Sequence, residues 1–309
     1  MSLDSGVTIE RFDIFMEFDR WLSEDSYTHA YRLFNKHHTL MNSIYWSYAP
    51  VFAYTQSLYS TEKGNGVERS THQMFNLKGL DSDRVPHRLG DWSKSLKEFD
   101  NWTRLNALVS LSAYFEIYLS SVVSLAIESD LGLLYSVPRL IDGVKIIKYG
   151  NEENYSFFDK SQGITKGEWS KRRSNFVALF GSAPDELTKH EGTLENIRKI
   201  RNNMAHAFGR DIDISRSRKT ISILEMDRVS IKRLQEYMGI IREVARAVDN
   251  QLLRNHIGQF ETLYFYHQVK NGLNNSNKLK DFKKKLNSLL VKNKSIKYCK
   301  DLIEFYDNL

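Results

Sequence analysis

The sequence is short of the residues that close disulfides and break helices. It has one cysteine, Cys299, and 4 prolines in 309 residues. A single cysteine cannot form an internal disulfide or supply a four-cysteine zinc site, so disulfide-stapled secreted scaffolds and zinc ribbons are excluded and a reducing compartment is indicated. Few prolines combined with long periodic stretches favour helix. With 41% hydrophobic and 27% charged residues, the composition is otherwise typical of a globular protein.

Motifs for nucleotide and metal chemistry are missing as well. The chain contains neither G-x-x-x-x-G-K-[ST] nor G-x-G-x-x-G, and Gly64-Asn65-Gly66 is more simply a turn between polar residues. His37 and His38 are adjacent, hence about 100° apart on a helix, and have no further ligand at metal-binding spacing. We therefore expect no metal and no cofactor.

One stretch is long enough to cross a bilayer. Residues 105–127 carry Glu116 as their only charge. A charge near mid-membrane is costly, and several serines dilute the apolar run, so we favour a central helix that its neighbours bury. The N-terminus has acidic residues where a secretory signal would be basic. We expect a cytoplasmic protein that does not enter a membrane.

The net charge of +6 is unevenly distributed. Between Lys270 and Lys300 there are ten lysines and one acid, Asp281, whereas residues 1–269 carry no net charge. A lysine-rich tail of this kind commonly binds phosphate in RNA, DNA or anionic lipid. The alternative is a solvated amphipathic helix whose lysines serve solubility.

Hydrophobic spacing predicts a mostly helical chain with one small β element. Two or three packed helices are expected over residues 9–60, with Leu33, Leu40 and Ile44 among their apolar positions. Further helices are expected over 102–128, 169–180, 194–208 and 230–253, with Thr193 as an N-cap. Residues 132–169 predict an irregular insertion with a β-like run at 144–149, and 215–227 alternate as in a small β-hairpin.

The most informative segment is LENIRKIRNNMAHAFGRD, residues 194–211. On a helical wheel its apolar residues share one broad arc: Leu194, Ile197, Ile200, Met204, Ala207 and Phe208. His206 falls nearly opposite that arc, so it is not a core histidine. Asn202 lies four residues earlier, where its amide could orient the imidazole, and Arg198, Lys199 and Arg201 add positive charge.

The string from Arg201 to His206 has the form R-N-x-x-x-H, which resembles the R-x(4–6)-H signature of the HEPN superfamily. A preceding helix, AYFEIYLSS, carries Glu116, and a closing helix ends in RNHIGQFE. The resemblance spans residues 101–261. It implies an all-α, HEPN-like helical bundle with a small β-hairpin insertion, flanked by an N-terminal helical region (1–100) of unknown role and a basic C-terminal helical tail (262–309).

The resemblance also implies a function. HEPN proteins of this type are metal-independent endoribonucleases, frequently toxins or antiviral defence effectors, whose site forms where two bundles meet. By this analogy His206 transfers protons, which an imidazole can do in either direction near neutrality. Arg201 would hold the phosphate oxygens, Asn202 would orient the imidazole or contact phosphate, and Glu116 would position Arg201 or His206. Alternatively, Glu116 is a buried acid satisfied by some other basic partner.

Several cations are expected to bind RNA around that site and on the tail: Arg198, Lys199, Arg210, Lys283, Lys284 and Lys285. On one ideal helix Arg201 and His206 are about 140° apart, so two motif helices related by a two-fold axis would grip one phosphate more easily. We therefore expect a homodimer or higher homo-oligomer formed through the HEPN domain. Two rivals remain: a non-catalytic HEPN module that binds RNA or a partner protein, and an effector restrained by an antitoxin or awaiting a trigger protein.

Overall fold

The chain is all-α. The computed structural model describes residues 18–64, 69–150, 157–216, 223–289 and 293–309, and no strand occurs in these ranges. The helices of these ranges are α1 (His29–Gly64), α2 (Thr71–Phe75), α3 (Leu89–Ser129), α4 (Gly143–Tyr149), α5 (Phe158–Thr165), α6 (Trp169–Phe180), α7 (Asp185–Lys189), α8 (Glu191–Ala207), α9 (Ile212–Ser215), α10 (Ile231–Leu252), α11 (Phe260–Val269), α12 (Lys278–Leu289) and α13 (Ile296–Asn308).

Helix α3 is the centre of the bundle. It packs against α1, α5, α8 and α10, and it begins at Leu89, well before the predicted start. Its most deeply buried side chains include Leu105, Leu108, Val122, Val123, Ala126 and Ile127. By length and composition alone α3 could cross a membrane, and half of its most apolar stretch is buried within the chain. A soluble helix that neighbours cover on several sides needs the same apolar composition as a membrane-spanning helix.

Helix α1 is a single helix of 36 residues where two or three were predicted. Its N-terminal half docks on the core through Tyr31, Phe34 and Tyr45, whereas no residue of α1 after Tyr45 is buried. The expectation that Leu33, Leu40 and Ile44 would be packed is wrong, because all three side chains are exposed. Residues 1–17 lie outside the described part of the chain.

The β-like run at 144–149 is helical instead. Helix α4 begins after Asp142, whose carboxylate accepts a hydrogen bond from the Val144 backbone N–H at 2.9 Å, and it packs against α11. The cap and this packing override the β propensity of valine and isoleucine. The predicted hairpin at 215–227 is not confirmed: Ser215 ends α9, residues 223–227 form no strand, and 217–222 lie outside the described residues.

The predicted division into three regions stays a prediction. The boundary after residue 100 falls inside the continuous helix α3, and α1 packs along that helix. In the C-terminal region α12 and α13 pack against α11 and against each other, and they bury Phe282, Leu286 and Leu302. The basic tail thus has an apolar face that joins the core.

A buried polar cluster ties the segment before α1 to the bundle. The guanidinium of Arg20, 2% exposed, pairs with Asp142 and donates to the backbone oxygens of Ser129 and Ile257. Nearby, Nδ1 of His256 lies 2.9 Å from a carboxylate oxygen of the buried Asp130. Buried polar groups need hydrogen-bond partners, and these contacts supply them for most of the polar groups in the cluster.

Candidate functional site

The motif helix suggested by the sequence is α8, and its apolar face docks on α3. Leu194, Ile197 and Met204 are buried, which leaves the polar side of the helix outside. The helix ends at Ala207, where Phe208 and Gly209 take the left-handed conformation and the Gly209 N–H donates to the Asn203 carbonyl. Thr193 is not the N-cap, since α8 already begins at Glu191. His206 therefore stands in the last turn.

The central contact of the site is an ion pair between α3 and α8. Nη2 of Arg201 lies 2.6 and 2.5 Å from the two carboxylate oxygens of Glu116, and the Arg201 side chain stays 23% exposed. Nη1 of Arg201 donates to the side-chain oxygen of Asn202 at 2.9 Å. Glu116 thus holds the guanidinium of Arg201, one of the two partners that the resemblance implied for it, while the Arg201 side chain stays partly exposed.

A second arginine, Arg172 of α6, shares the same carboxylate. Its Nη2 lies 3.0 Å from Glu116 and its Nε donates to the Gly167 carbonyl at 2.9 Å, with the guanidinium 4.6 Å from the centre of the Trp169 ring. The Arg172 side chain is only 3% exposed. Burial lowers its pKa, and the pairing with Glu116 acts in the opposite direction. One carboxylate therefore faces two guanidinium groups, which leaves a net positive charge.

A neighbouring pair flanks this cluster on α8. Arg198 donates to both carboxylate oxygens of Glu195, at 2.9 and 2.5 Å, and Glu195 also accepts the Trp169 backbone N–H at 3.2 Å. The hydrogen bond from Arg198 is the largest influence on the Glu195 carboxyl and lowers its pKa. Because Glu195 occupies Arg198, this arginine is less available to RNA than the sequence implied.

His206 is exposed at the end of α8, apart from the arginine cluster. The expected hydrogen bond from Asn202 is not formed, because the Asn202 oxygen accepts from Arg201 instead. Within the described ranges no side-chain hydrogen bond or ion pair involves His206. Glu116 contacts Arg201 and Arg172 and not His206, so its contacts agree both with a positioning role and with the alternative of an acid satisfied by another basic partner.

The interior of the site is small. A cavity of about 10 Å³ lies between α3, α6 and α8, lined in part by Ser112, Glu116, Arg198 and Arg201. This volume accommodates at most one water molecule. A nucleotide could therefore meet Arg201 only at the surface, or in a cleft that a second molecule completes.

The other cations predicted to bind RNA are spread over the molecule. Lys199 is exposed on α8, and Arg210 beyond its end donates to the Leu224 carbonyl at 2.6 Å. Lys284 and Lys285 are exposed on α12 and Lys283 is half-buried there. Helix α12 packs against α11 and α13, whereas α8 packs against α3, α6 and α10. The structure thus brings Glu116, Arg201, Asn202 and Arg198 together but not the lysines.

Sequence reasoning missed Arg172, Trp169 and Glu195. Arg172 is 29 positions before Arg201 and its sequence neighbours, Lys171 and Arg173, are also cations. Nothing in that basic run marks the middle residue as the one that turns inward. The only available signal is Trp169, whose ring one helical turn earlier can carry a guanidinium on its face.

Comparison with known proteins gives no match from which the role of this site could be inferred. No protein-family model, no curated protein and no solved structure matches the chain.

Proposed function

We propose that the chain is a metal-independent endoribonuclease of the HEPN type, active as a homodimer. One observation carries the proposal: Glu116 holds Arg201 at the surface of α8, and an exposed imidazole, His206, stands five residues further along the same helix. A fixed guanidinium for phosphate and a free group for proton transfer are what cleavage of RNA by its own 2′-hydroxyl requires.

The chemistry follows from these two groups. The 2′-oxygen attacks the adjacent phosphorus while the imidazole of His206 takes its proton, the bond to the 5′-oxygen breaks, and the same imidazole returns the proton to that leaving oxygen. The products are a 2′,3′-cyclic phosphate and a 5′-hydroxyl, and no water is consumed. Arg201 stabilises the charge that grows on the non-bridging oxygens, and its exposed edge is the part that can reach them.

The need for two molecules follows from the geometry of one helix. Arg201 and His206 are separated by five residues, about 7.5 Å along the axis and 140° around it. A single α8 therefore presents them in different directions, and the cavity beside Arg201 is too small for a ribose. Two α8 helices facing each other would place the guanidinium of one copy near the imidazole of the other.

The test is RNA cleavage in the presence of EDTA by the full chain and by Arg201→Ala and His206→Ala. We expect 2′,3′-cyclic phosphate ends from the wild type and losses of ~100-fold or more in both variants. Arg84→Ala and His87→Ala are matched controls, since both side chains are exposed and far along the chain from α8. Absence of cleavage, or equal cleavage by the variants and the controls, contradicts the proposal.

A non-catalytic HEPN module that binds RNA or a partner protein is the second candidate. It is favoured by the pairing of Arg201 with Glu116, because an ion pair between α8 and α3 also holds these two helices together. Salt-dependent RNA binding that survives His206→Ala, with no products formed, would support this candidate.

We further propose a cytoplasmic toxin or antiviral defence role, with an antitoxin or trigger protein as regulator. Expression in cells distinguishes this role from an inert binder. Wild-type chain that stops growth, beside His206→Ala that does not, is the expected result. Equal growth with both contradicts a chain that is toxic without a trigger.

A further inference from the structure

The exposed side of α1 carries a regular apolar stripe that the bundle does not use. Successive members are spaced alternately by three and four residues from Leu33 to Leu58, the a/d spacing of a coiled coil. One set of positions comprises His37, Ile44, Val51 and Leu58. The other comprises Leu33, Leu40, Ser47 and Tyr54. We call these eight residues the α1 seam.

The α1 seam faces away from the core. The large hydrophobic side chains of the seam are 36 to 66% exposed. Tyr31, Phe34 and Tyr45, on the opposite side of the helix, are buried. β-Branched residues at Ile44 and Val51 alternating with Leu40 are a combination that two-stranded coiled coils favour. The seam is about 37 Å long and passes Pro50. None of its side chains is buried, and His37 stacks on Tyr114 of α3 with 3.8 Å between the ring centroids.

The surroundings of the seam are those of a protein interface. Residues 37–61 contain no Asp, Glu, Lys or Arg over 25 consecutive positions and include five tyrosines and tryptophans in total. Loss of charge together with aromatic enrichment marks the centre of protein interfaces. Beside the seam, a groove of about 490 Å³ opens between α1 and α3, with Phe99, Trp102 and Tyr114 on its α3 side. The groove can take side chains of a helix lying on the seam.

Area and charge both indicate a second copy of this chain as the occupant. The exposed apolar members of the seam and the rim residues Phe99 and Tyr114 offer on the order of 800 Å² per molecule, the size of a standard interface. Lys36 flanks the seam at one end, and Glu62, which lies 3.6 Å from Arg69 of the same chain, flanks it at the other. An antiparallel pair of α1 helices places each Lys36 near the Glu62 of the other copy. The uncharged middle segments of the two helices then contact each other.

We infer that α1 is a homodimerisation helix, and that two copies of the chain associate by pairing their α1 seams in antiparallel orientation. This contact is separate from the cleft proposed at α8 and does not depend on RNA cleavage. It predicts a dimer whose stability is set by Ile44 and Val51, the two most central apolar positions.

The test is the mass of the full chain in solution, by sedimentation or light scattering, for wild type, Ile44→Glu and Val51→Glu. Both side chains are exposed in one molecule, so the variants should fold, which circular dichroism checks. At micromolar concentration we expect the wild type to form a dimer, or a larger assembly where the α8 cleft also pairs, and we expect the dissociation constant of the α1 contact to be at least ~100-fold higher in each variant. Ala53→Glu is the matched control, because Ala53 is exposed on α1 about 150° from the seam.

Cross-linking gives an independent readout. Ser47 lies in the middle of the seam, and the single native cysteine, Cys299, is buried. A short bis-maleimide should join Ser47→Cys chains into dimers and leave Ala53→Cys chains mostly single. A monomeric wild type, an assembly mass that Ile44→Glu and Val51→Glu leave unchanged, or equal cross-linking at both positions overturns the inference, and the second of these would place the interface elsewhere, for example at α8.

Discussion

Glu116 is the residue on which the geometry of the candidate site depends. Its carboxylate is the shared partner of Arg172, which is buried, and of Arg201, which reaches the surface. Removing a carboxylate between two guanidinium groups leaves a buried positive charge without compensation, which costs more than the ion pairs themselves contribute. The same residue therefore serves stability and, in the proposed reaction, the placement of Arg201.

We predict that Glu116→Gln lowers the free energy of unfolding by about 2 kcal/mol and reduces RNA cleavage. Urea denaturation and the cleavage assay measure the two effects. Glu243→Gln is the control, since Glu243 is exposed and pairs with Lys189 at 3.7 Å, where a change of under ~0.5 kcal/mol is expected. Cleavage lost at unchanged stability would contradict a positioning role and indicate direct contact of Glu116 with RNA.

Two carboxyl groups that accept hydrogen bonds from the start of α1 make the free energy of unfolding depend on pH. Asp249 is buried and accepts hydrogen bonds from the backbone N–H of Thr28 at 3.0 Å and from its hydroxyl at 2.5 Å. Burial raises the pKa of Asp249 to about 6, and burial likewise raises the pKa of Glu261, which accepts the His29 N–H, to about 7. The folded state thus binds these protons more tightly than the unfolded chain does.

Their stabilising contribution is therefore complete below pH ~4 and is lost as the pH rises through these two pKa values. We predict that between pH ~4.5 and ~8 the wild type loses about 2 kcal/mol more stability than Asp249→Asn, whose amide oxygen can still accept from Thr28. Urea denaturation across the range measures both slopes. Parallel profiles would show that Asp249 does not bind a proton in this window.

At the scale of elements, α8 and α12 divide the positive charge of the molecule. Helix α8 carries cations that are largely paired with acids, whereas α12 exposes Lys284 and Lys285 and turns Phe282 and Leu286 into the core. Because α12 and α13 complete that core, cutting away residues 270–309 would disturb folding as well as charge. Single side chains are the better probe of the tail.

We predict that Lys284→Ala combined with Lys285→Ala weakens RNA binding ~10-fold and reduces the salt dependence of binding by ~1.4 in slope, without changing the rate at saturating RNA. The physical reason is that a protein with fewer lysines neutralises fewer phosphates, so fewer counterions leave the RNA on binding. Lys94→Ala with Lys97→Ala is the control, because both lysines are exposed on α3. Unchanged affinity in the α12 variant would mean that its lysines only solvate the helix.

At the scale of the whole molecule, the candidate site is incomplete in one copy. Arg201 and His206 point in different directions from α8, and the cavity beside Arg201 holds no more than one water molecule. If one copy supplies the guanidinium and the other the imidazole, activity belongs to the assembly and not to the chain.

We predict that Arg201→Ala and His206→Ala chains, each inactive alone, recover cleavage when they are co-expressed and purified as mixed dimers. A mixed dimer retains one of its two composite sites, so we expect up to about half of the wild-type activity per dimer. Tags of different kinds on the two chains isolate the mixed species. No recovery would mean that each molecule uses its own arginine and histidine.

The sequence by itself determined the all-α class, the amphipathic character of α8 and α10 and the outward position of His206, because helical periodicity is a local property of the chain. Tertiary structure decided the rest. Only packing of α6 against α8 brings Arg172 to Glu116, and only the association of α4 with α11 makes a helix of a β-like run. It also decided that Leu40 and Ile44 face solvent. Helix α1 has apolar residues on two sides, and the sequence pattern does not show which side packs against the core.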